Sequence, residues 1–357
     1  MILPHTNFSI LVLMVVSMFC LGSWANTFKL AGKWRYELYY FDFAFGLILF
    51  TLVYALTVGN MGYDGFGMMD SLMNAGKQQW LFAFGAGVVF TFGNMLLIGV
   101  VSTAGMALAF PVAMGAAIIL GAILNWASGP VGAPHFLWSG CLLVAGAMAA
   151  DTVGHVELLR QRHEALAKGG KAKTTRRPLD LKDTVMALVA GLLLGSVPLL
   201  LQKATVADIG LGPYTVWLLF GVGAVLATLM AGMFLLNLSM QGEELSLTAF
   251  IRSTPREHLL GMAGGALWIT GTLAGSAAIY ANTAPGVNGG LPAGATPVGS
   301  APVYALAQGA ALLAAIWGVL AWKEEKGGDF SVKLMTGLTL VLFAGGVALI
   351  ALSGVGK

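Results

Sequence analysis

The stretch FSILVLMVVSMFCLGSWANTF, from Phe8 to Phe28, is 21 residues long and contains no charged side chain. About 20 apolar residues in a helix are enough to cross the hydrocarbon core of a bilayer, which is roughly 30 Å thick. Residues 1–7 carry no Lys or Arg, whereas Lys29 and Lys33 follow the stretch, which reverses the charge order of a cleaved signal peptide. We therefore predict a retained membrane-spanning helix.

The whole chain has the composition of a membrane protein. Of its 357 residues, 57% are hydrophobic and only 10% are charged, against about 25% charged in soluble domains. Ten stretches are long and apolar enough to span a bilayer, and we expect an all-α membrane protein. We number them spans 1 to 10, and they cover residues 8–28, 39–59, 79–101, 106–125, 135–153, 184–204, 213–236, 258–281, 301–322 and 332–353.

The basic residues indicate an orientation. Sixteen of the 19 Lys and Arg residues fall in the connections that follow odd-numbered spans or, for Lys333 alone, in the adjoining first turn of span 10, and the other three are Lys77, Lys203 and Lys357. Cytoplasmic connections are enriched in Lys and Arg. We therefore expect the odd connections to be cytoplasmic, both termini to face outward, and the protein to lie in the inner (plasma) membrane of the cell.

A basic connection divides the ten spans into two groups of five. It covers residues 154–183, so that residues 1–153 form a first five-helix repeat and residues 184–357 a second one. Because five is odd, the second repeat crosses the membrane upside down relative to the first, an arrangement typical of secondary transporters. Leu21-Gly22-Ser23 and Leu194-Gly195-Ser196 match between the halves, although small residues also recur by chance in membrane helices.

Polar residues inside the spans are the candidates for binding a solute. Asn94 lies midway along span 3, Gln308 lies in span 9, Asn26 ends span 1 and Thr270 lies in span 8. Such groups often only bond neighbouring helices, but a carrier of uncharged polar solutes needs the same groups. Two aromatic residues join them as candidates, with core packing as the alternative role: Trp24 and Trp317.

Ionisable residues at membrane depth are candidates for proton coupling. Asp42 enters span 2 by about one turn, and Glu37 precedes it. Carboxylates inside membranes are frequent members of proton relays. Near the ends of helices they also reach the headgroups, and this second interpretation stays open for both residues.

Several function classes find no support in the sequence. The five histidines are scattered without metal-ligand spacing, and the two cysteines lie in apolar runs. The basic connection contains Gly169-Gly170-Lys171, but Ala165 stands where a phosphate-binding loop needs its first glycine. We expect no catalytic residues, no metal, no cofactor and no nucleic-acid partner. The expected partners are a small-molecule substrate, membrane lipid and a proton as possible co-substrate.

Three stretches resemble a known family. The first is Gly22-Ser23-Trp24-Ala25-Asn26-Thr27-Phe28-Lys29 with Lys33-Trp34-Arg35-Tyr36-Glu37, the second is Gly93-Asn94 with Gly105 to Pro111, and the third is Ile316-Trp317-Gly318-Val319-Leu320 with Glu324 and Glu325. They are similar to motifs of the drug/metabolite transporter superfamily, in particular its ureide permease, rhamnose–proton symporter and glucose/ribose-uptake branches. Thr270-Gly271-Thr272 departs from the Gly-Asn of ureide permeases.

The resemblance implies an alternating-access carrier with ten helices in two inverted repeats. By position it implies a site at Trp24, Asn26, Asn94, Gln308 and Trp317, and it adds Lys29 to the candidates near the coupling carboxylates. The expected cargo is a small neutral polar solute, most simply a sugar or a ureide-like compound. The alternatives are an exporter of amphipathic compounds and, in another class, a structural or enzymatic multi-pass membrane protein.

Overall fold

The computed structural model describes residues 1–127, 133–168, 181–205, 210–237, 247–283 and 290–354. All the regular secondary structure within these ranges is helical. The helices are α1 (Asn7–Ser23), α2 (Ala25–Leu30), α3 (Tyr36–Leu56), α4 (Met68–Asn74), α5 (Lys77–Thr103), α6 (Met106–Ala127), α7 (Pro134–Lys168), α8 (Lys182–Thr205), α9 (Thr215–Asn237), α10 (Leu247–Ile251), α11 (Pro255–Thr283), α12 (Ser300–Leu320) and α13 (Phe330–Ser353).

Ten stretches of helix in the described chain are long and apolar enough to cross a membrane. The first combines α1 and α2 as Asn7–Leu30, and the short helices α4 and α10 are not among the ten. Hydropathy is a local property of the sequence, so it locates such helices before any tertiary contact is known. For the described residues, the prediction of an all-α protein with ten helices long and apolar enough to span a membrane is confirmed.

Helix α7 is much longer than span 5, which we predicted to end at residue 153. It continues to Lys168 and takes in the first half of the predicted linker. Residues 155–168 of this continuation contain no Gly or Pro, and Arg160 bonds Glu164 one turn later at 3.1 Å. Such ion pairs stabilise an exposed helix. A prediction based on hydropathy alone does not detect them. The rest of the linker, residues 169–180, lies outside the described residues.

The described chain forms two compact units. Unit 1 contains residues 1–95 and 196–310, and unit 2 contains residues 96–195 and 311–357. Each unit therefore draws on both halves of the sequence. The sequence division at residues 154–183 stays a prediction.

Glycines bring the helices of unit 1 into backbone contact. A Cβ atom on Gly46 of α3 would overlap the carbonyl oxygen of Met262, and one on Gly265 of α11 would overlap that of Phe43. The contact is reciprocal: Met262 lies three residues before Gly265, and Phe43 lies three residues before Gly46. Only a residue without a side chain permits this approach.

The same reciprocal contact recurs between α5 and α9, also within unit 1. A Cβ atom on Gly87 would overlap the carbonyl oxygen of Phe220, and one on Gly223 would overlap that of Phe84. The spacing of three residues is again kept in both directions. Two helix pairs therefore share one packing motif.

In unit 2, α7 packs against α13 and α6. Gly140 of α7 and Gly346 of α13 face each other, and a Cβ on either would stand 2.8 Å from the other's carbonyl oxygen.

Pro111 lies inside the continuous helix α6, while Pro198 lies inside α8. Both prolines are thus tolerated within a helix and do not end one.

Candidate functional site

Asp42 and His258 form a hydrogen-bonded pair in unit 1. The Nδ1 atom of His258, near the start of α11, lies 2.6 Å from Oδ2 of Asp42 in α3. The side chain of His258 is 24% exposed, and that of Asp42 is 10% exposed. Glycine 261, one turn after His258, leaves room for Asp42, because an added Cβ would stand 2.5 Å from the Asp42 Cβ. A half-buried carboxylate–imidazole pair of this kind can take up and release a proton.

The sequence fixes the start of α11 and so the position of His258. Pro255 is the first residue of the helix, and Thr254 precedes it. The backbone N–H of Thr254 donates to the carboxylate of Glu257 at 2.7 Å, and its hydroxyl donates to the same oxygen at 2.9 Å. The Glu257 N–H donates back to the Thr254 hydroxyl at 3.4 Å. This is a capping box with proline at the first helical position.

Aromatic rings enclose the pair. Trp34 meets the His258 ring edge to face with centroids 5.6 Å apart, and Phe250 does so at 4.8 Å. The Trp34 indole N–H donates to the hydroxyl of Ser253 at 2.9 Å, which holds that ring in place. The imidazole therefore has two aromatic neighbours and a polar contact with Asp42.

Glu37, the second predicted coupling carboxylate, has a different environment. Its side chain is fully buried, and Arg35 binds both of its oxygens, at 2.6 and 3.3 Å. The pair is electrically neutral as it stands. Lys29, also a coupling candidate, is half-buried in α2.

Trp24 and Asn26 lie at the junction between α1 and α2. Trp24 is 2% exposed and packs against Phe43, with ring centroids 5.1 Å apart. The Asn26 side-chain amide donates to the carbonyl of Ser23 at 3.0 Å. Thr27 donates its hydroxyl proton to the Trp24 carbonyl at 2.8 Å, so this junction is held by local bonds.

Asn94 is the centre of a second polar group. It is 1% exposed, and its Nδ2 atom has no hydrogen-bond partner among the described residues. The hydroxyl of Tyr40 lies beside Asn94 and Thr91, yet it too lacks a well-formed hydrogen bond there. The Thr91 hydroxyl is directed at the carbonyl oxygens of Gly87 and Ala224, both at 3.1 Å. Two buried donors are thus left without acceptors.

A cluster of aromatic side chains begins at Phe90, one turn before Asn94 in α5. Phe90, one turn before Asn94, lies 4.3 Å from the Trp268 ring by centroids, and Phe220 stacks on Trp268 at 5.7 Å with 9° between the planes. Trp217 packs on Phe220 at 4.8 Å, and its indole Nε1 is a further buried donor without a partner in the described chain. Flat apolar faces beside unpaired donors suit a ligand that is polar at its edge and apolar on its faces.

The remaining predicted residues lie elsewhere. The Thr270 hydroxyl donates to the Ala266 carbonyl at 2.7 Å and lies 3.2 Å from the Tyr54 hydroxyl. Gln308 is half-buried in α12 within unit 1. Trp317 belongs to unit 2 and is 36% exposed. Unit 1 therefore contains every predicted site residue except Trp317.

Sequence reasoning missed His258, Tyr40 and Trp217. One signal for His258 was available, since it precedes Gly261 and Gly265 by three and seven residues and so shares a face of α11 with them. Tyr40 and Trp217 look like ordinary apolar residues in a hydrophobic stretch. Their unpaired polar atoms are visible only once the fold is known.

In the described parts of the chain, no group of three or more His, Cys, Asp or Glu side chains is arranged to hold a metal ion. No protein-family model matches the sequence, and neither a curated protein nor a solved structure does. The function must therefore be inferred from the residues of the two polar groups.

Proposed function

We propose that the protein is a secondary carrier for small neutral polar solutes, of the drug/metabolite transporter type. The observation that carries this proposal is the pair of unpaired buried donors at Tyr40 and Asn94. Leaving a buried polar group unpaired costs about 1–3 kcal/mol, and lipid offers it no hydrogen bond. A polar solute bound at this point supplies the missing acceptors.

The chemistry around Asn94 favours an uncharged cargo. Asn94 lies beside the hydroxyl of Tyr40, which also neighbours Thr91, and one turn after Phe90, whose ring packs on Trp268. A charged solute would need a compensating charge at this depth. A sugar or a ureide-like compound instead presents hydroxyl or amide edges to the donors and a face to the aromatic rings.

The reciprocal glycines support two inverted repeats. Gly46 and Gly223 lie in spans 2 and 7, 177 residues apart, and Gly87 and Gly265 lie in spans 3 and 8, 178 residues apart. A two-fold axis in the membrane plane exchanges each span with the one five later. Such an axis would exchange the α3–α11 contact with the α9–α5 contact. Both contacts have the same reciprocal pair of glycines.

Asp42 and His258 are the proposed coupling site for a proton. Their contact at 2.6 Å joins α3 to α11, the pair that also meets at Gly46 and Gly265. Protonation changes the charge within this contact and so biases the packing of the two helices. Proton binding and helix movement are thereby linked.

The binding site is tested by thermal unfolding of the purified protein with a panel of sugars, allantoin and nucleobases. A ligand stabilises the folded state by RT ln(1 + [L]/Kd), so one panel compound should raise the unfolding temperature. Asn94→Ala should lose this rise. Asn7→Ala is the control, because Asn7 is an exposed residue that bonds only the Thr296 carbonyl with its side chain. A rise that persists in Asn94→Ala would exclude this site.

The coupling site is tested by comparing two modes of transport in proteoliposomes. Asp42→Asn should abolish accumulation driven by a proton gradient and keep equilibrium exchange of the solute, because the polar site around Asn94 is unchanged. Asp70→Asn, in the short helix α4, serves as control and should retain both modes. Loss of exchange together with accumulation in Asp42→Asn would assign Asp42 a structural role instead.

An exporter of amphipathic compounds is the second candidate. The cluster of Phe90, Phe220, Trp217 and Trp268 favours it, since stacked rings bind apolar faces of many shapes. Stabilisation by amphipathic cations or dyes, with none by sugars or ureides, would select this alternative.

A further inference from the structure

Unit 2 contains a small cavity with acidic walls. Its volume is about 30 Å³, and its lining includes Asp151, His155, Glu324, Glu325 and Thr336. About 10–15 Å³ of such volume holds one water molecule, whereas sites for small organic ligands measure about 300–1,000 Å³. The cavity therefore admits a water molecule or a small cation and excludes an organic solute.

Two carboxyl groups at this cavity each have one buried oxygen without a donor in the described chain. Asp151 of α7 is 6% exposed, and its Oδ2 atom is buried without a hydrogen-bond partner in the described chain. The Oε1 atom of Glu325, which follows α12, is buried and unpartnered in the same way. Two ionised carboxylates facing one small cavity repel each other, and their buried oxygens have lost contact with water, so a proton or another cation between them is favoured.

Glu324, the third carboxylate, is already compensated. Its Oε1 accepts from the backbone N–H of Met106 at 3.0 Å, and its Oε2 accepts from that of Ala107 at 2.8 Å. These N–H groups begin helix α6, where the helix dipole stabilises a negative charge. Gly105 and Gly318 make room for the carboxylate, since a Cβ on either would stand within 2.6 Å of its oxygens. The negative charge of Glu324 also acts on Asp151.

The arginine and the lysine nearby are directed elsewhere. Arg162 of α7 donates to the backbone carbonyls of Glu324 and Lys326, at 2.5 and 3.1 Å, and not to a carboxylate. The Lys326 residue itself is exposed. His155, one turn after Asp151, lines the cavity wall and is the other titratable group that faces it.

We propose that Asp151 and Glu325 bind one exchangeable proton in this cavity. The proton forms an O–H bond to one carboxyl oxygen and is shared with the other through the water-sized space. Its release to a solvent water leaves both groups ionised beside Glu324, which favours rearrangement of the α12–α13 connection. The proposal rests on the proposed carrier function and gives that carrier a second protonation site, in unit 2.

Infrared difference spectroscopy of the purified protein tests this proposal without any transport. At neutral pH the wild-type protein should show the carbonyl stretch of a protonated carboxylic acid, with a shift in D₂O. The wild-type minus Asp151→Asn spectrum should contain this band, and Glu325→Gln should move it by removing the group that shares the proton. Glu157→Gln is the matched control on α7, since Glu157 lies near the surface and bonds Gln161; it should leave the band unchanged.

Absence of the band from the wild-type minus Asp151→Asn spectrum would overturn the proposal. So would its loss on adding Na⁺ at constant pH, which would assign the cavity to a metal cation instead. Because the band needs no substrate, it should persist even if the protein transports none of the tested solutes. Failure of the carrier function and failure of this site are therefore distinguished.

Discussion

Tyr39 and Tyr40 are neighbours in α3 with opposite hydrogen-bonding states. Both are fully buried. The Tyr39 hydroxyl lies 2.7 Å from the hydroxyl of Thr27 and occupies the space left by Gly264. The Tyr40 hydroxyl has no such partner in the described structure. The first contributes to the fold, whereas the second is the group that the proposed carrier function assigns to the solute.

Replacing each tyrosine with phenylalanine should separate these roles. Tyr39→Phe removes a buried hydrogen bond and should lower the unfolding free energy by about 0.5–1.5 kcal/mol, with little effect on solute affinity. Tyr40→Phe removes an unpaired group and should leave stability unchanged or raised, while solute affinity falls. Thermal unfolding and binding measured on both variants check this. Equal losses of stability in the two variants would contradict the assignment of Tyr40 to the solute.

At the residue level the sequence predicted Asp42 and Asn94 as candidates but not the residues that lie beside them. Polar groups in an apolar stretch stand out because lipid does not solvate them. His258 is 216 residues from Asp42, and no local pattern pairs positions that far apart. Tyr40 was missed for a different reason, since a tyrosine reveals a lack of partners only in the folded chain.

At the level of helices, the four reciprocal glycines of unit 1 should not tolerate a methyl group. Gly46→Ala, Gly87→Ala, Gly223→Ala and Gly265→Ala would each place a Cβ against a backbone carbonyl. Overpacking of this kind costs about 1–3 kcal/mol. Gly85→Ala is the control in α5, because a Cβ there meets no atom within 4 Å, and it should be neutral or slightly stabilising. If Gly87→Ala had the same unfolding temperature as Gly85→Ala, the packing described would be contradicted.

Helix number was predictable and helix length was not. The ten spans followed from apolar runs, which need no knowledge of tertiary contacts. The continuation of α7 to Lys168 depends on charged side chains such as Arg160 and Glu164, which bond along an exposed helix. Glycine contacts such as that between Gly140 and Gly346 likewise depend on which helices become neighbours.

At the level of the whole molecule, the basic residues predict which loops face the cytoplasm. Tyr63, in the connection after the second spanning helix, is fully exposed, and Glu164 lies on the exposed end of α7. In intact cells a membrane-impermeant thiol reagent should label Tyr63→Cys and should label Glu164→Cys only after lysis. The unsubstituted protein is the control, since Cys20 and Cys141 lie within α1 and α7. The opposite labelling pattern would invert the proposed orientation.

The central claim is that the protein carries a small neutral polar solute bound at Asn94 and Tyr40. Uptake of radiolabelled sugars, allantoin and nucleobases into proteoliposomes, with and without an inward proton gradient, tests it most directly. We predict uptake of one of these compounds, stimulated by the gradient and lost in Asn94→Ala and Tyr40→Phe but kept in Tyr39→Phe. Absence of uptake of every compound by folded protein would contradict the claim, as would uptake that is unchanged in Asn94→Ala.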